Sequence, residues 1–348
     1  MTEKKICWGI LGTGNIARIF AKGIAESSTG KFFAVASRSL PKAQSFGKEF
    51  DVPIQYGSYE ELLKDPRVQV VYIALPHVLH ASWAIRAANA GKHILCEKPL
   101  AVNYPEAQAM VDAARRNDVF LMEAFVYRCH PQTAKLIELL RAKVIGDVRM
   151  IQATFSFQAD PDFNNRALSN DLGGGGILDV GCYALSIVRL IAGVALGKEY
   201  ADPLEVYGVG HIGELSHIDE WSIGCLKFPK GILAQVSTGV FLKQENVVRI
   251  FGSKGDLFIP SPWVPGGRDP GMTKIFVRKH CEKIVQEIPV ETTQGLFSME
   301  ADMVANSISI RESPVMTWED SLGNMRTLDQ WRKAVGISYS SDDQQSSV

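Results

Sequence analysis

The stretch Ile6-Cys7-Trp8-Gly9-Ile10-Leu11-Gly12-Thr13-Gly14-Asn15-Ile16-Ala17 decides the fold. Its first half is a short apolar run of strand type. It breaks into Gly-x-Gly-x-x-Ala, and residues Asn15 to Glu26 then follow helical spacing. In this context Gly12 permits a tight turn, Gly14 lets backbone approach a pyrophosphate, and Ala17 is small enough for close helix–strand packing. The helix start offers unpaired N–H groups and a positive dipole end to phosphates. The bland alternative is a turn with purely structural glycines. The position after a strand and at the start of a β-α-β unit favours dinucleotide binding. The apolar stretch is short and lacks a small-residue cleavage site, so a first strand reads better than a signal peptide.

Working outward, the first 125 residues alternate strand and helix. Strands are expected at Lys31–Ser37, Val68–Leu75, His93–Cys96 and Val119–Ala124, and helices at Leu40–Phe50 and His77–Asn89. Asn103 and Glu106 form an N-cap pair before a further helix through Arg116. Repeated β-α-β units specify a parallel sheet with helices on both faces. After Tyr127 the pattern changes. A helix over Thr133–Ala142 leads to a strand at Val148–Phe157. The glycine run Gly173 to Gly176 precedes a helix over Ile177–Ala192. Strand signals then follow without helices between them, from Val206 to Ile288, and imply an antiparallel sheet. Two helices, near Ser298–Ile310 and Trp318–Ala334, close the chain. The expected domains are 1–125, 126–340 and a disordered polar tail, 341–348.

The 348 residues carry 37 basic and 38 acidic side chains, a net charge of −1, with 46% apolar residues. That length suits two domains and a large core that needs no disulfide or metal to fold. Balanced charge gives no broad field for nucleic acid or an anionic membrane. No apolar run approaches the length of a membrane span. The six cysteines form no Cys-x-x-Cys pair, and reduced, buried thiols in a cytoplasmic protein are the expected reading. His77 and His80 lack the carboxylate or cysteine company of a metal site, so no metal is expected.

The second strand ends Ala36-Ser37-Arg38-Ser39, and Lys42 follows one helical turn later. A carboxylate here would bind the ribose hydroxyls of NAD, and none is available. Ser37, Arg38 and Lys42 instead suit a 2′-phosphate, which favours NADP over NAD. The alternative is that both cations are ordinary solvated charges at a helix start.

Further motifs follow: Pro76 with His80, Glu97-Lys98-Pro99, Met122-Glu123-Ala124-Phe125 with Arg128, and Gly175-Gly176 before Asp179. With the glycine loop and Ala36-Ser37-Arg38, these motifs resemble the glucose–fructose oxidoreductase / inositol dehydrogenase / rhizopine-catabolism family over nearly the whole chain. The dimeric dihydrodiol dehydrogenase and NADP-dependent D-xylose 1-dehydrogenase branch is the nearest in pattern. The resemblance implies a Rossmann domain plus an α+β domain with a large, open, mainly antiparallel sheet, commonly used for oligomerisation. It implies hydride transfer between nicotinamide and a hydroxyl carbon of a pyranose or cyclic trans-diol. An alternative is reduction of an oxo- or anhydro-sugar such as 1,5-anhydrofructose, and a non-enzyme alternative is an NADP(H)-sensing regulator. A homodimer or higher homo-oligomer is expected.

Oxidising an alcohol sends a hydride to the cofactor and a proton to a base. Lys98 lies at the carboxyl end of a parallel strand, where such sheets bind ligands. The bland reading is a surface lysine paired with Glu97. Asp179 and Tyr183 sit four apart and share a helix face. Many relatives carry histidine where this chain has Tyr183, although the dihydrodiol dehydrogenase branch resembles it there. Either Tyr183 is the acid/base and Lys98 stabilises its phenolate, or Lys98 is the base and Tyr183 orients the sugar. Lys98, Tyr183 and Asp179 are therefore the catalytic candidates. Cofactor candidates are Gly12, Thr13, Gly14, Asn15, Ile16, Ser37, Arg38, Lys42, Leu75, Pro76, His80, Glu97 and Lys98. Substrate candidates are Phe125, Arg128, Phe163 and Arg166 with Asp179 and Tyr183. Arg128 has a domain-packing salt bridge as its alternative, and Asp219 either reaches the site rim or simply begins a strand.

Overall fold

The computed structural model describes residues 5–162 and 165–343. Six parallel strands form the first sheet: β1 (Ile6–Leu11), β2 (Gly30–Ala36), β3 (Ile54–Tyr56), β4 (Val70–Ile73), β5 (His93–Glu97) and β6 (Leu121–Ala124). Their order, β3-β2-β1-β4-β5-β6, is that of two mononucleotide-binding halves meeting at β1 and β4. The connecting helices are α1 (Asn15–Glu26), α2 (Leu40–Glu49), α3 (Tyr59–Lys64), α4 (His80–Asn89) and α5 (Tyr104–Arg116). Phe20 of α1 stacks on Tyr72 of β4 at 3.9 Å and tilts onto Trp8 of β1 at 5.3 Å. All three rings are fully buried, and Phe20 alone stabilises the fold by roughly 1.5–3 kcal/mol. The side chain of Asn103 accepts from the Glu106 amide at 3.1 Å and caps α5. β3 and α3 were not expected. β3 has three half-buried residues and no alternation, while Ser58 caps the six-residue α3 through the Glu61 amide.

The second sheet has eight strands: β7 (Val148–Ser156), β8 (Glu205–Ile212), β9 (Asp219–Lys227), β10 (Leu233–Gly239), β11 (Val248–Gly252), β12 (Gly255–Ile259), β13 (Gly271–Lys279) and β14 (Gln286–Thr292). Their order is β14-β13-β12-β11-β7-β10-β9-β8. Every pair is antiparallel except β7 with β10. The sheet is therefore mixed, because β7 is separated from β10 by a long crossover and inserts between β10 and β11. The remaining helices are α6 (Pro131–Arg141), α7 (Cys182–Ala195), α8 (Leu296–Ser307), α9 (Trp318–Val335) and the short α10 (Ser340–Asp343).

α7 is the central helix of this half. Segment 170–195 is long and apolar enough to span a membrane by composition, with mean hydropathy 1.8, yet its apolar window is wholly buried in the protein. The expectation that no apolar run reaches that length is corrected here: a helix buried on all faces looks like a membrane span in sequence.

The other face of the sheet is open. Side chains alternate buried and exposed along β9, leaving Trp221, Ile223 and Cys225 on one side. Tyr207 and Val209 of β8 lie opposite Cys225 and Ile223, and Leu233 of β10 lies opposite Lys227 on the same face. Cys225 is thus exposed rather than buried, as is Cys281; Cys96 and Cys182 are buried, and Cys7 and Cys129 are half-buried. Residues 341–343, at the start of the expected tail, belong to α10. Asp342 in α10 accepts from Arg332 Nη1 at 2.9 Å and from Asn103 Nδ2 at 3.0 Å. Residues 344–348 of that tail lie outside the described residues.

The glycine run is held by three outside groups. Tyr339 Oη donates to the Gly174 carbonyl at 2.6 Å, and Thr238 Oγ1 donates to the Gly176 carbonyl at 2.9 Å. Asp219 Oδ2 accepts from the Ile177 amide at 2.7 Å. Gly175 has φ +104°, and a Cβ there would fall 2.3 Å from Asp219 Oδ1. Only glycine satisfies both constraints. Asp219 therefore begins β9 and, from there, anchors the turn that carries Asp179.

Burial pushes the Asp219 carboxyl up to about 7, against the Ile177 amide, which lowers it. The folded state thus holds this proton more tightly than the unfolded chain, whose aspartate titrates near about 3.9. The resulting stability is fully present below about pH 4 and is lost as pH rises through about 7. Urea midpoints of the wild type are expected to fall between about pH 5 and about pH 8, and less steeply in Asp219→Asn. Equal slopes would reject the assignment.

Candidate active site

A cleft of about 1200 Å³ lies where the carboxyl ends of the parallel strands face the second sheet. The glycine loop forms one end. Gly12 has φ +107°, and a Cβ there would meet the Ala74 carbonyl at 2.5 Å. Gly14 differs: a Cβ there meets nothing within 4 Å among the described residues and would stand in the cleft above the N-terminus of α1. The first turn of α1 carries no acidic residue. This open cradle of amides fits a cofactor diphosphate. At the end of β2, Ser37 is buried while Arg38 and Lys42 are exposed. Among the described residues neither cation forms an ion pair with a carboxylate. Arg38 lies at the Tyr59 hydroxyl, which burial pushes up and Arg38 draws down.

The opposite end is organised around Asp179. A π-helical turn, Ile177–Gly181, leads into α7 and buries this carboxylate. Arg166 Nη2 donates to Asp179 Oδ1 at 3.0 Å, and Lys98 Nζ lies 3.5 Å from the same oxygen. Lys98 Nζ also donates to the Asp179 backbone carbonyl at 2.5 Å. Burial would raise the Asp179 carboxyl, but the charges of Arg166 and Lys98 hold it well below the usual carboxylate range. His77 Nδ1 faces the Gly173 carbonyl at 2.8 Å and Nε2 faces Arg166 Nη1 at 2.9 Å. A carbonyl only accepts and a guanidinium only donates, so His77 is neutral with its proton on Nδ1. Burial and the neighbouring Arg166 push its pKa well down, in agreement.

Tyr183 forms the wall beside Lys98. Its ring packs edge-on against Phe125 at 5.1 Å and Phe155 at 5.2 Å, and Lys98 Nζ sits 5.1 Å from its centroid. Phe155 in turn stacks on Trp263 at 5.3 Å. Burial, with Glu97 next, pushes the Tyr183 hydroxyl well above its ordinary value.

The cleft thus brings together Gly12, Thr13, Gly14, Asn15, Ile16, Ser37, Arg38, Lys42, Leu75, Pro76, Glu97, Lys98, Arg166, Asp179 and Tyr183. Three expected residues do not line it. His80 is fully buried, its ring nitrogens each 2.9 Å from the carbonyls of Pro99 and Leu75. It ties two strand-end loops together instead of facing a ribose. Phe125 is fully buried behind Tyr183. Arg128 is a packing residue: it donates to Tyr127 Oη at 2.9 Å and Ser186 Oγ at 2.8 Å and pairs with Asp320 at 3.2 Å. A buried guanidinium needs such partners, and they are the adjacent Tyr127, Ser186 of α7 and Asp320 of α9, none of which lines the cleft. Phe163 lies outside the described residues. Phe155 and Phe157 were missed as lining residues, though their i, i+2 spacing on one strand was the available signal. Val264, Arg268 and Phe297 also line the cleft; they come from a loop and a distant helix, and no local pattern marks them.

Comparison with known proteins bears on this geometry. Residues 6–125 match the family described as oxidoreductase family, NAD-binding Rossmann fold, and residues 133–258 match the GFO/IDH/MocA C-terminal domain. The chain is 34% identical to a trans-1,2-dihydrobenzene-1,2-diol dehydrogenase of Mus musculus, covering 96% of this chain and 98% of the relative. It is 32% identical to a D-xylose 1-dehydrogenase (NADP(+)) of Haloferax volcanii, covering 92% and 95%. Among solved structures it resembles a 3-ketoreductase from Actinomadura kijaniata in complex with NADP and TDP-benzene. There the TM-score is 0.86 at 28% identity, covering 95% of this chain and 98% of that chain. Matched in both domains and along nearly its whole length, the chain belongs to the GFO/IDH/MocA family of oxidoreductases, with an NAD(P)-binding Rossmann domain.

Proposed function

We propose that this oxidoreductase uses NADP to interconvert a hydroxyl and a carbonyl on a pyranose sugar or cyclic trans-diol. The observation that carries the reading is the convergence of Lys98, Asp179 and Tyr183 on one end of a cleft whose other end is the glycine loop. The names of the dihydrodiol and D-xylose dehydrogenase relatives support the substrate class. The resemblance to a 3-ketoreductase favours a second reading, in which the physiological direction is reduction of an oxo-sugar.

The nicotinamide, when bound, supplies the hydride acceptor or donor. The glycine loop would hold the diphosphate, and Ser37, Arg38 and Lys42 the 2′-phosphate. In the reducing direction the Lys98 ammonium would give its proton to the new hydroxyl oxygen; in the oxidising direction Lys98 would first release that proton to solvent and then take the hydroxyl proton as the neutral amine. Asp179 holds that ammonium in place, through both its side chain and its carbonyl. The Tyr183 hydroxyl stays protonated, since burial disfavours its phenolate, and it orients the substrate oxygen as a donor. Phe155, Phe157 and the Tyr183 ring offer an apolar wall to the C–H face of a ring. Two copies pair through the open sheet, where Val209 and Leu233 are 71% and 51% exposed. The free thiols of all six cysteines support a reducing, cytoplasmic setting.

Three outcomes are expected. Lys98→Met lowers kcat by roughly 10²–10⁴-fold while NADP still binds, and Tyr183→Phe lowers it less. Steady-state kinetics with a pyranose and diol panel checks this; a Lys98→Met enzyme of normal kcat would remove the proton-transfer role. Arg38→Ala raises KM for NADP by about tenfold or more and leaves KM for NAD nearly unchanged. Equal effects on both would sink the 2′-phosphate assignment. Light scattering gives the mass of two or more chains for the wild type and of one chain for Val209→Glu/Ile223→Glu. A monomeric wild type at micromolar concentration contradicts the pairing.

A further inference from the structure

Several cations of the cleft have partners. Lys98 and Arg166 are committed to Asp179, and Arg38 lies at Tyr59. Arg268 is exposed, lines the same cleft, and forms no ion pair or side-chain hydrogen bond among the described residues. It belongs to the loop between β12 and β13, in the second half of the chain.

Its position is fixed through its backbone. The Leu296 amide donates to the Arg268 carbonyl at 2.9 Å. Leu296 opens α8, and the next residue, Phe297, is pressed against α1: a Cβ added at Gly23 would fall 2.4 Å from Phe297 Cβ. Phe297 lines the cleft together with Ile16 and Ile19 of α1. Arg268 is therefore tethered to the helix that packs on α1, the helix whose N-terminus forms the phosphate cradle. No acidic side chain in the first turn of α1 competes for its charge. A solvated, unpaired guanidinium that lines the same cleft as a cradle of amides is complementary to a dianionic diphosphate.

We propose that Arg268 binds the cofactor's diphosphate from the side opposite the glycine loop. The diphosphate then sits between amides of the first domain and a guanidinium from the second. This rests on the reading that the cleft holds a nicotinamide dinucleotide. Because the diphosphate is common to NAD and NADP, Arg268 serves both cofactors equally, unlike Arg38.

The test is equilibrium titration of the full-length protein with NADP and with NAD, followed by calorimetry. Arg268→Ala is expected to weaken both by the same factor, about tenfold, with Arg268→Lys intermediate because a point charge replaces the planar fork. Affinities unchanged for both dinucleotides overturn the proposal. So does weakening of NADP alone, which places Arg268 at the 2′-phosphate, or a raised KM for the sugar or diol with unchanged dinucleotide affinity. A wild type that binds neither dinucleotide removes the underlying reading instead, and so separates the two failures.

Discussion

The buried Asp179 carboxylate is the group on which the rest of the site depends. An ionised carboxyl with little access to water is tolerated only where charge and hydrogen bonds compensate for its lost hydration. Here Arg166 and Lys98 do so at 3.0 and 3.5 Å. Lys98 comes from the end of β5 in the first sheet, and Asp179 from the turn that opens into α7 in the second half. One ion pair therefore sets the position of the candidate proton carrier and links the two halves across the cleft. Arg166 spends its other nitrogen on His77, which fixes the imidazole tautomer and ties it to Gly173. Removing Asp179 would leave two cations unpaired beside a neutral ring.

The constraint reaches further into the fold. Asp179 is placed by a turn of unusual geometry, and that turn is placed by glycines that accept close contact. Asp219, Thr238 and Tyr339 each bond to the run from Gly174 to Ile177. These partners come from β9, β10 and the chain end after α9, so the site turn is gripped by distant segments. Helix caps act locally; this clamp needs the whole second half to be folded.

The parts legible in the sequence are those written in local pattern. The run from Ile6 to Ala17 carries the strand, the turn and the helix start in adjacent residues, and the strand order of the first sheet follows its logic. Asp179 and Tyr183 read as neighbours because helical spacing puts them on one face. What could not be read depends on partners far apart in the chain. Arg128 looks like a site residue beside Phe125, but its partners Ser186 and Asp320 are distant and draw it into the core. His80 likewise turns to the carbonyls of Leu75 and Pro99. The parallel pairing of β7 with β10 depends on a crossover whose return path has no local signature. Cys225 sits in apolar sequence because alternate residues of β9 face the core, while its own side chain faces out.

The direction of the Lys98 side chain has a cause one residue away. Glu97 is its nearest carboxylate in sequence and the obvious partner for a surface pair. In the structure Tyr72 Oη donates to Glu97 Oε1, and the Lys98 amide donates to Oε2 at 3.3 Å. Both oxygens are thus occupied on the sheet side, and burial pushes this carboxyl up, against the charge of Lys98. Nearby Glu300 is fully buried with neither oxygen bonded among the described residues, and burial, with Glu97 next, pushes it well up too. Acids so disfavoured as anions offer little pull on an ammonium. Asp179, ionised beside Arg166 at 3.0 Å, offers more, and Lys98 Nζ lies 3.5 Å from its Oδ1. The charge at the end of β5 faces the cleft because the acids behind it are buried where ionisation is costly.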